Sequence, residues 1–148
     1  MIKRVDSKNL DFRALVMQLD RYLAKIDGDE YAFYHQFNTI DKLAHCVVIY
    51  ENGVPLGCGA IKRFDEQSFE IKRMFVHPNA RGRGFAKQLV RALENWGAEM
   101  GATRTLLETG KRMPDAIGLY QKMGYTSIKN YGHYIGVENS VCFEKIFY

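Results

Sequence analysis

Proline and cysteine are both scarce in this chain, 3 of each in 148 residues. No Pro-rich or low-complexity linker and no internal repeat interrupts it. Cys46, Cys58 and Cys142 are odd in number, widely spaced and never form a C-x-x-C. That excludes a disulfide framework and leaves reduced, partly buried thiols. His35, His45, His77 and His133 are scattered. His45 and Cys46 are neighbours in an expected strand, so they face opposite ways, and no metal site is expected. A run of about 18 apolar residues is missing, which excludes a membrane-spanning helix. The first six residues, Met1-Ile2-Lys3-Arg4-Val5-Asp6, lack the apolar segment of a signal peptide, so a cytoplasmic protein is expected. A Walker loop is absent, and Gly82-Arg83-Gly84-Phe85-Ala86-Lys87 fails the dinucleotide fingerprint because it ends in Lys. Lys and Arg exceed Asp and Glu by 21 to 17, a net charge of +4. These cations are spread rather than blocked, and no reading module accompanies them, so sequence-specific nucleic-acid binding is not expected.

What is present is an ordinary globular composition, 47% hydrophobic and 26% charged. The length fits one domain, residues 1–148, with enough chain for a real core. Apolar and polar periodicity predicts a strand at 2–5 and a helix from Asn9, with Leu10, Leu15, Val16, Leu19, Tyr22, Leu23 and Ile26 at helical spacing. Asp27-Gly28-Asp29 ends it. The aromatic stretch 31–37 is ambiguous and allows a short second helix. Residues 44–50 and 54–62 read as a hairpin around Glu51-Asn52-Gly53. A turn at 65–68 leads into a central strand at 69–76. A helix follows over 85–100, stopped by Gly101, then a buried strand over 104–109. Pro114 opens another helix that ends at Gly124. The last strands fall near 125–129 and 141–147. The layout is α/β (α+β): a mixed, mostly antiparallel sheet flanked by helices, around a β-α-β core.

The chemistry concentrates in Glu70-Ile71-Lys72-Arg73-Met74-Phe75-Val76-His77-Pro78-Asn79-Ala80-Arg81-Gly82-Arg83-Gly84-Phe85-Ala86. It reads as strand, Pro-broken turn, basic Gly-rich loop and helix. Free N–H groups and the dipole at a helix start favour an anion. Gly82 and Gly84 let the main chain approach a ligand closely. Arg81 and Arg83 add donors suited to phosphate. The plainer alternative is a solvated basic turn that caps the helix. Arg81, Gly84 and Ala86 fit the pattern Q/R-x-x-G-x-G/A. A second signature, Ala116-Ile117-Gly118-Leu119-Tyr120-Gln121-Lys122-Met123-Gly124-Tyr125, follows after one helix and one strand. Together these motifs, with Glu70 on the strand before the loop, resemble the GNAT superfamily of N-acetyltransferases over roughly residues 70–125.

The resemblance implies an acetyl-CoA-dependent N-acetyltransferase acting on a primary amine, with acetyl-CoA as cosubstrate and no metal. Arg81, Gly82, Arg83, Gly84, Phe85 and Ala86 would cradle the pyrophosphate. Met74, Phe75 and Val76 would flank the pantetheine arm, and a backbone N–H there would polarise the thioester carbonyl. Tyr120 would donate a proton to the departing thiolate, although a phenol near pKa ~10 facing a thiol near ~8.5 acts mostly through hydrogen bonding. Glu70 would be the base that takes the amine proton, directly or through water. It lies about 20 Å before Val76 if the strand is fully extended, less if a bulge intervenes. The bland alternative for Glu70 is a solvated carboxylate paired with Lys62 or Lys72, and for Tyr120 a packing residue. One departure from the family pattern is Met113 where an Asn is common; main-chain atoms near Gly110 could substitute. For the acceptor, Asp27, Asp29 and Glu30 beside Tyr31, Phe33, Tyr34 and Phe37 could hold a cationic amine, or simply form a helix end and core aromatics. Tyr131, His133 and Tyr134 stay equally open. A homodimer is allowed. A catalytically silent acyl-CoA-binding or interaction module is the competing function.

Overall fold

Cys46, Val47, Val48 and Ile49 are consecutive strand residues and all are buried. Successive side chains of a strand point to opposite faces, so this sheet must be covered on both sides. The computed structural model describes residues 1–28 and 40–147. The expected second helix at 31–37 lies outside the described residues.

The strands are β1 (Ile2–Val5), β2 (His45–Glu51), β3 (Val54–Asp65), β4 (Ser68–Val76), β5 (Arg104–Gly110), β6 (Thr126–Ile128) and β7 (Ser140–Ile146). They form one seven-stranded sheet in the order β1-β2-β3-β4-β5-β7-β6. Only β4 and β5 pair in parallel, and every other neighbouring pair is antiparallel. Among the described residues the α-helices are α1 (Leu10–Asp27), α2 (Phe85–Glu99) and α3 (Pro114–Lys122). Asn9 caps α1 by accepting from the Phe12 N–H at 2.9 Å.

Helix α1 covers one face with Phe12, Val16 and Leu19 against Cys46, Val48, Cys58, Ala60 and Phe75. Helices α2 and α3 cover the other with Leu89, Leu93 and Tyr120 against Val47, Ile49, Ile71, Leu107 and Phe143. His45 stacks edge-on to Trp96 of α2 at 4.9 Å while Cys46 sits under α1, so the two do face opposite ways. All three cysteines are free and buried. Burial raises the Cys46 thiol to about 12, so it stays protonated and packs as a small apolar group.

Two irregularities position the site. The pairing of β3 with β4 runs from Cys58↔Phe75 to Ala60↔Lys72, so Gly59 alone faces both Arg73 and Met74. That is a β-bulge, and Arg73 occupies its left-handed position at φ 59°. The parallel pairing of β4 with β5 stops at Ile71↔Leu107. Beyond it β4 runs on to Val76 while β5 stays paired with β7 to Gly110. The sheet is therefore forked between its fourth and fifth strands.

Candidate active site

The fork opens a cavity of about 140 Å³. Its walls come from β4 (Glu70, Lys72, Arg73, Met74), β5 (Glu108, Thr109, Gly110), the end of α1 (Leu23, Asp27) and α3 (Met113, Ala116, Tyr120), with Tyr134 closing one side. Strand register explains who shares a face. Glu70 is level with Leu106 in the parallel pair, so Glu70, Lys72 and Glu108 share the face that carries α1. Tyr120 belongs to the apolar cluster under α2 and α3, on the opposite face. Only where the strands part can groups from both faces reach one space.

Tyr120 is 6% exposed and lines the cavity. Burial pushes its phenol well above the ordinary value, so it remains a proton donor at any physiological pH. Tyr125 packs edge-on against it at 5.7 Å. The Tyr125 hydroxyl donates to the buried Glu94 carboxylate at 2.7 Å, and Lys145 Nζ lies 3.2 Å from the same group. These contacts fix the end of α3 to α2 and β7.

Glu70 uses both of its oxygens. Tyr131 O–H donates to Oε2 at 2.7 Å, and Lys72 Nζ lies 3.5 Å from Oε1. The expected pairing with Lys72 is thus present. Lys62 is the cross-strand partner of Glu70 in the register. The Lys72 ammonium is held below its usual pKa, first by burial, with Glu70 opposing. The Glu70 carboxylate and burial together hold the Tyr131 phenol far above its usual range, burial being the larger cause.

Sequence reasoning missed Glu108. Its one signal was a carboxylate directly after Leu106 and Leu107 in a strand that reads as buried. Burial raises its pKa to about 7, and the negative charges of Glu70 and Asp27 push the same way. Ser140 O–H donates to Oε2 at 2.6 Å, and Lys72 opposes the rise. A carboxyl poised near neutrality inside a cavity is the property a general base requires.

The glycine loop lies past the C-terminal end of the same β4. Gly82 and Gly84 have φ 79° and 81°, left-handed values that suit glycine. No side chain caps α2, and the first intrahelical bond runs from the Gln88 N–H to the Gly84 carbonyl. The N–H groups of Phe85, Ala86 and Lys87 therefore have no acceptor within the helix. Arg81 Nε donates to the Val76 carbonyl at 3.0 Å, and its guanidinium lies over the Tyr22 ring at 5.3 Å. Arg83 pairs with Glu51.

Of the expected site residues, Glu70, Met74 and Tyr120 line the cavity. Phe75 is buried under α1 and Val76 packs toward α2. Arg81 to Ala86 form the separate loop beyond them. Met113 lines the cavity beside Gly110, and its sulfur lies 3.8 Å from Thr109 Oγ1. Asp27 and Tyr134 belong to the cavity, Tyr131 reaches it through Glu70, and His133 sits in a short 3-10 turn over Gly132–Tyr134. Asp29, Glu30, Tyr31, Phe33, Tyr34 and Phe37 lie outside the described residues. Among the described residues no group of His, Cys, Asp and Glu is placed to hold a metal, and no helix is long and apolar enough to cross a membrane.

A forked sheet with an uncapped helix at the end of one arm, and carboxylates and a phenol in the fork, is the layout that the sequence resemblance to acetyltransferases implies. The comparisons agree. A model of the Acetyltransferase (GNAT) family matches residues 12–125. An "IAA acetyltransferase" from Azospirillum brasilense is 34% identical over 122 residues, spanning 81% of this chain and 80% of that protein. A crystal structure described as an acyl-CoA N-acyltransferase from Klebsiella pneumoniae superposes with a TM-score of 0.85 at 27% identity, covering 100% of this chain and 97% of that one. A GNAT family acetyltransferase from Elizabethkingia anophelis, solved with acetyl-CoA bound, shares the fold with a TM-score of 0.72 at 14% identity over 99% of this chain and 97% of that one. The chain belongs to the GNAT family of acetyltransferases.

Proposed function

We propose that the protein transfers an acetyl group from acetyl-CoA to a primary amine, with the thioester seated in the fork between β4 and β5. One observation carries this reading. The fork brings Tyr120 from one face, and Glu70 and Glu108 from the other, to a single cavity beside the β4 bulge. The uncapped start of α2 and Arg81 stand at the far end of the same strand, where the pyrophosphate would lie. Arg83 would leave Glu51 or share it when phosphate arrives. Met74, Phe75 and Val76 supply the strand along which the pantetheine arm would run, and a main-chain N–H near the bulge would face the thioester carbonyl.

An ammonium must lose a proton before it can attack, since its pKa is near ~10. Glu70 was the sequence candidate, yet both its oxygens already accept hydrogen bonds or an ion pair. Glu108 is the better receiver, with a pKa raised to about 7 mainly by burial, to which the Glu70 charge adds. The neutral amine then attacks, the C–S bond breaks, Tyr120 donates its hydrogen to the leaving sulfur, and the remaining extra proton on the nitrogen leaves to restore the phenol. We further propose a cytoplasmic reaction with no membrane or sequence-specific nucleic-acid partner, as the sequence leads one to expect.

The test is acetyl-CoA binding by calorimetry for wild type and Arg81→Ala, followed by CoA release over a broad amine panel. Clear wild-type binding, weakened by about tenfold or more in the variant, and acceptor-dependent CoA release are expected. Tight binding with no release above hydrolysis for any amine would leave a silent acyl-CoA module. No binding would remove the reading altogether.

A further inference from the structure

The β4 wall of the cavity holds more unspent donors than acetyl transfer alone requires. Lys72 and Arg73 are consecutive, so in a regular strand they would face opposite sides. The bulge changes that. Arg73 adopts φ 59°, and both residues line the same cavity. The Arg73 side chain is 5% exposed, and its Nη1 lies 2.9 Å from Asp20 Oδ1 of α1. That contact is close in distance but not aligned as a hydrogen bond, and Arg73 Nε has no acceptor among the described residues. Lys72 has three N–H donors and, among the described residues, one ion pair, to Glu70 at 3.5 Å, with its side chain 10% exposed.

A buried donor without an acceptor is destabilising, and native folds seldom keep one without a use. Here the strain of a left-handed arginine is added to it. Opposite these donors, on β5, stands Glu108, the group that takes the amine proton in the reading above. The β4 side thus carries two cations, Lys72 beside Glu70 and Arg73 beside Asp20, with donors left over, and it faces the Glu108 carboxylate.

Resting on that acetyl-transfer reading, we propose that the acceptor is a small amine bearing its own oxyanion, a free amino acid, whose carboxylate is gripped by Arg73 and Lys72 while its amine faces Glu108. A guanidinium Nε–H and an ammonium provide charge-assisted hydrogen bonds to such a group. The chemistry stays balanced: Glu108 takes one proton from the ammonium, the nitrogen gains the acetyl carbon as the C–S bond breaks, the Tyr120 hydrogen goes to the CoA sulfur, and the second nitrogen proton leaves to restore the Tyr120 phenol. The carboxylate takes no part in the bond changes and serves only to bind and orient.

The experiment compares kcat/KM for L-amino acids and for the amines left by their decarboxylation, with aminophosphonic acids as a third arm, on wild type, Lys72→Met and Arg73→Gln. Amino acids are expected to exceed their matched amines by about tenfold to a hundredfold in wild type, and the ratio to collapse toward one in both variants. Equal or better use of the plain amines would overturn the inference and leave acetyl transfer standing. A preference for aminophosphonates would overturn the carboxylate assignment. An unchanged ratio in both variants, with weaker acetyl-CoA binding, would assign the donors to the cosubstrate and overturn it too. Should no compound be acetylated, the acetyl-transfer reading fails, and calorimetry of the same compounds on CoA-loaded wild type decides the inference separately. Binding of amino acids but not amines supports it, and absence of amino-acid binding overturns it. The wild-type comparison does not depend on either variant folding.

Discussion

At the residue scale the two carboxylates of the cavity differ in what their surroundings leave them to do. Glu70 accepts from Tyr131 and pairs with Lys72. Glu108 accepts from Ser140 and is raised to about 7, mainly by burial. A base works when deprotonated, so kcat/KM should fall as the pH drops below about 7 and level off above it. Glu108→Gln should lower the rate by about a hundredfold to ten-thousandfold and abolish that limb. Glu70→Gln should act differently. Removing its charge, and freeing Lys72 to face Glu108, both lower the Glu108 pKa, so the limb should move to lower pH with part of the activity kept. A pH profile of the three proteins measures this, and an unmoved limb in Glu70→Gln would break the coupling. Stability follows with its own sign. The folded pKa of Glu108 is raised from the ordinary 4.5 to about 7. Its contribution is thus complete below about 4.5 and lost as pH rises through about 7. Glu108→Gln, which never ionises, should raise Tm relative to wild type at pH 8 and change it little at pH 5, a gain in stability at the expense of activity.

At the element scale the bulge in β4 depends on its neighbour in β3. A Cβ on Gly59 would lie 2.5 Å from Met74 Sδ and 2.9 Å from Leu93 Cδ1. Leu93 is fully buried in α2, so it cannot yield freely, and Met74 would be pushed toward the fork. Gly59→Ala should cost about 1–3 kcal/mol in denaturant unfolding, through a lower midpoint at constant slope, and should weaken acetyl-CoA binding more than a remote substitution of equal cost. The same region separates what was legible in the sequence from what was not. The hairpin at Asn52-Gly53, the Gly84 start of α2 and the Gly124 end of α3 were readable because their signals are local. Strand β3 ran on to Asp65, three residues past its expected end, because Lys62 and Arg63 pair with Glu70 and Phe69 in the register whatever their own propensity. A bulge was allowed for in β4, but its place was hidden, since arginine gives no hint of a left-handed backbone. Glu108 stayed hidden for a related reason. Its setting comes from the parting of β4 and β5, and from Ser140 on β7, none of which periodicity encodes. Tyr120 and Glu70 were visible because each belongs to a short motif.

At the scale of the whole molecule the fork is also a mechanical weakness. Strands β1 to β4 and strands β5 to β7 form two antiparallel halves, joined within the sheet by a parallel pairing that spans only Ser68↔Arg104 to Ile71↔Leu107. Past that seam, the β5-facing edge of residues 72–76 of β4 has no strand partner among the described residues, and edge amides of this kind open easily. On the opposite edge Gly57 and Cys58 of β3 pair with Val76 and Phe75, so half of this ladder is already held. A pantetheine arm lying in the fork would offer amide groups to the free edge and bridge the two halves. Ligand bound only by the folded state stabilises it by mass action, and most strongly in the openings it closes. Acetyl-CoA should therefore slow amide hydrogen exchange most in residues 72–76 and 108–110 and at the start of α2, with little change in β1 and the centre of β2. Hydrogen-exchange mass spectrometry with and without acetyl-CoA measures it. Protection confined to the α2 start would mean that only the pyrophosphate is held and that the arm does not enter the fork. Protection spread evenly over the sheet would mean that the halves already move as one unit, and that the seam is not where the molecule opens.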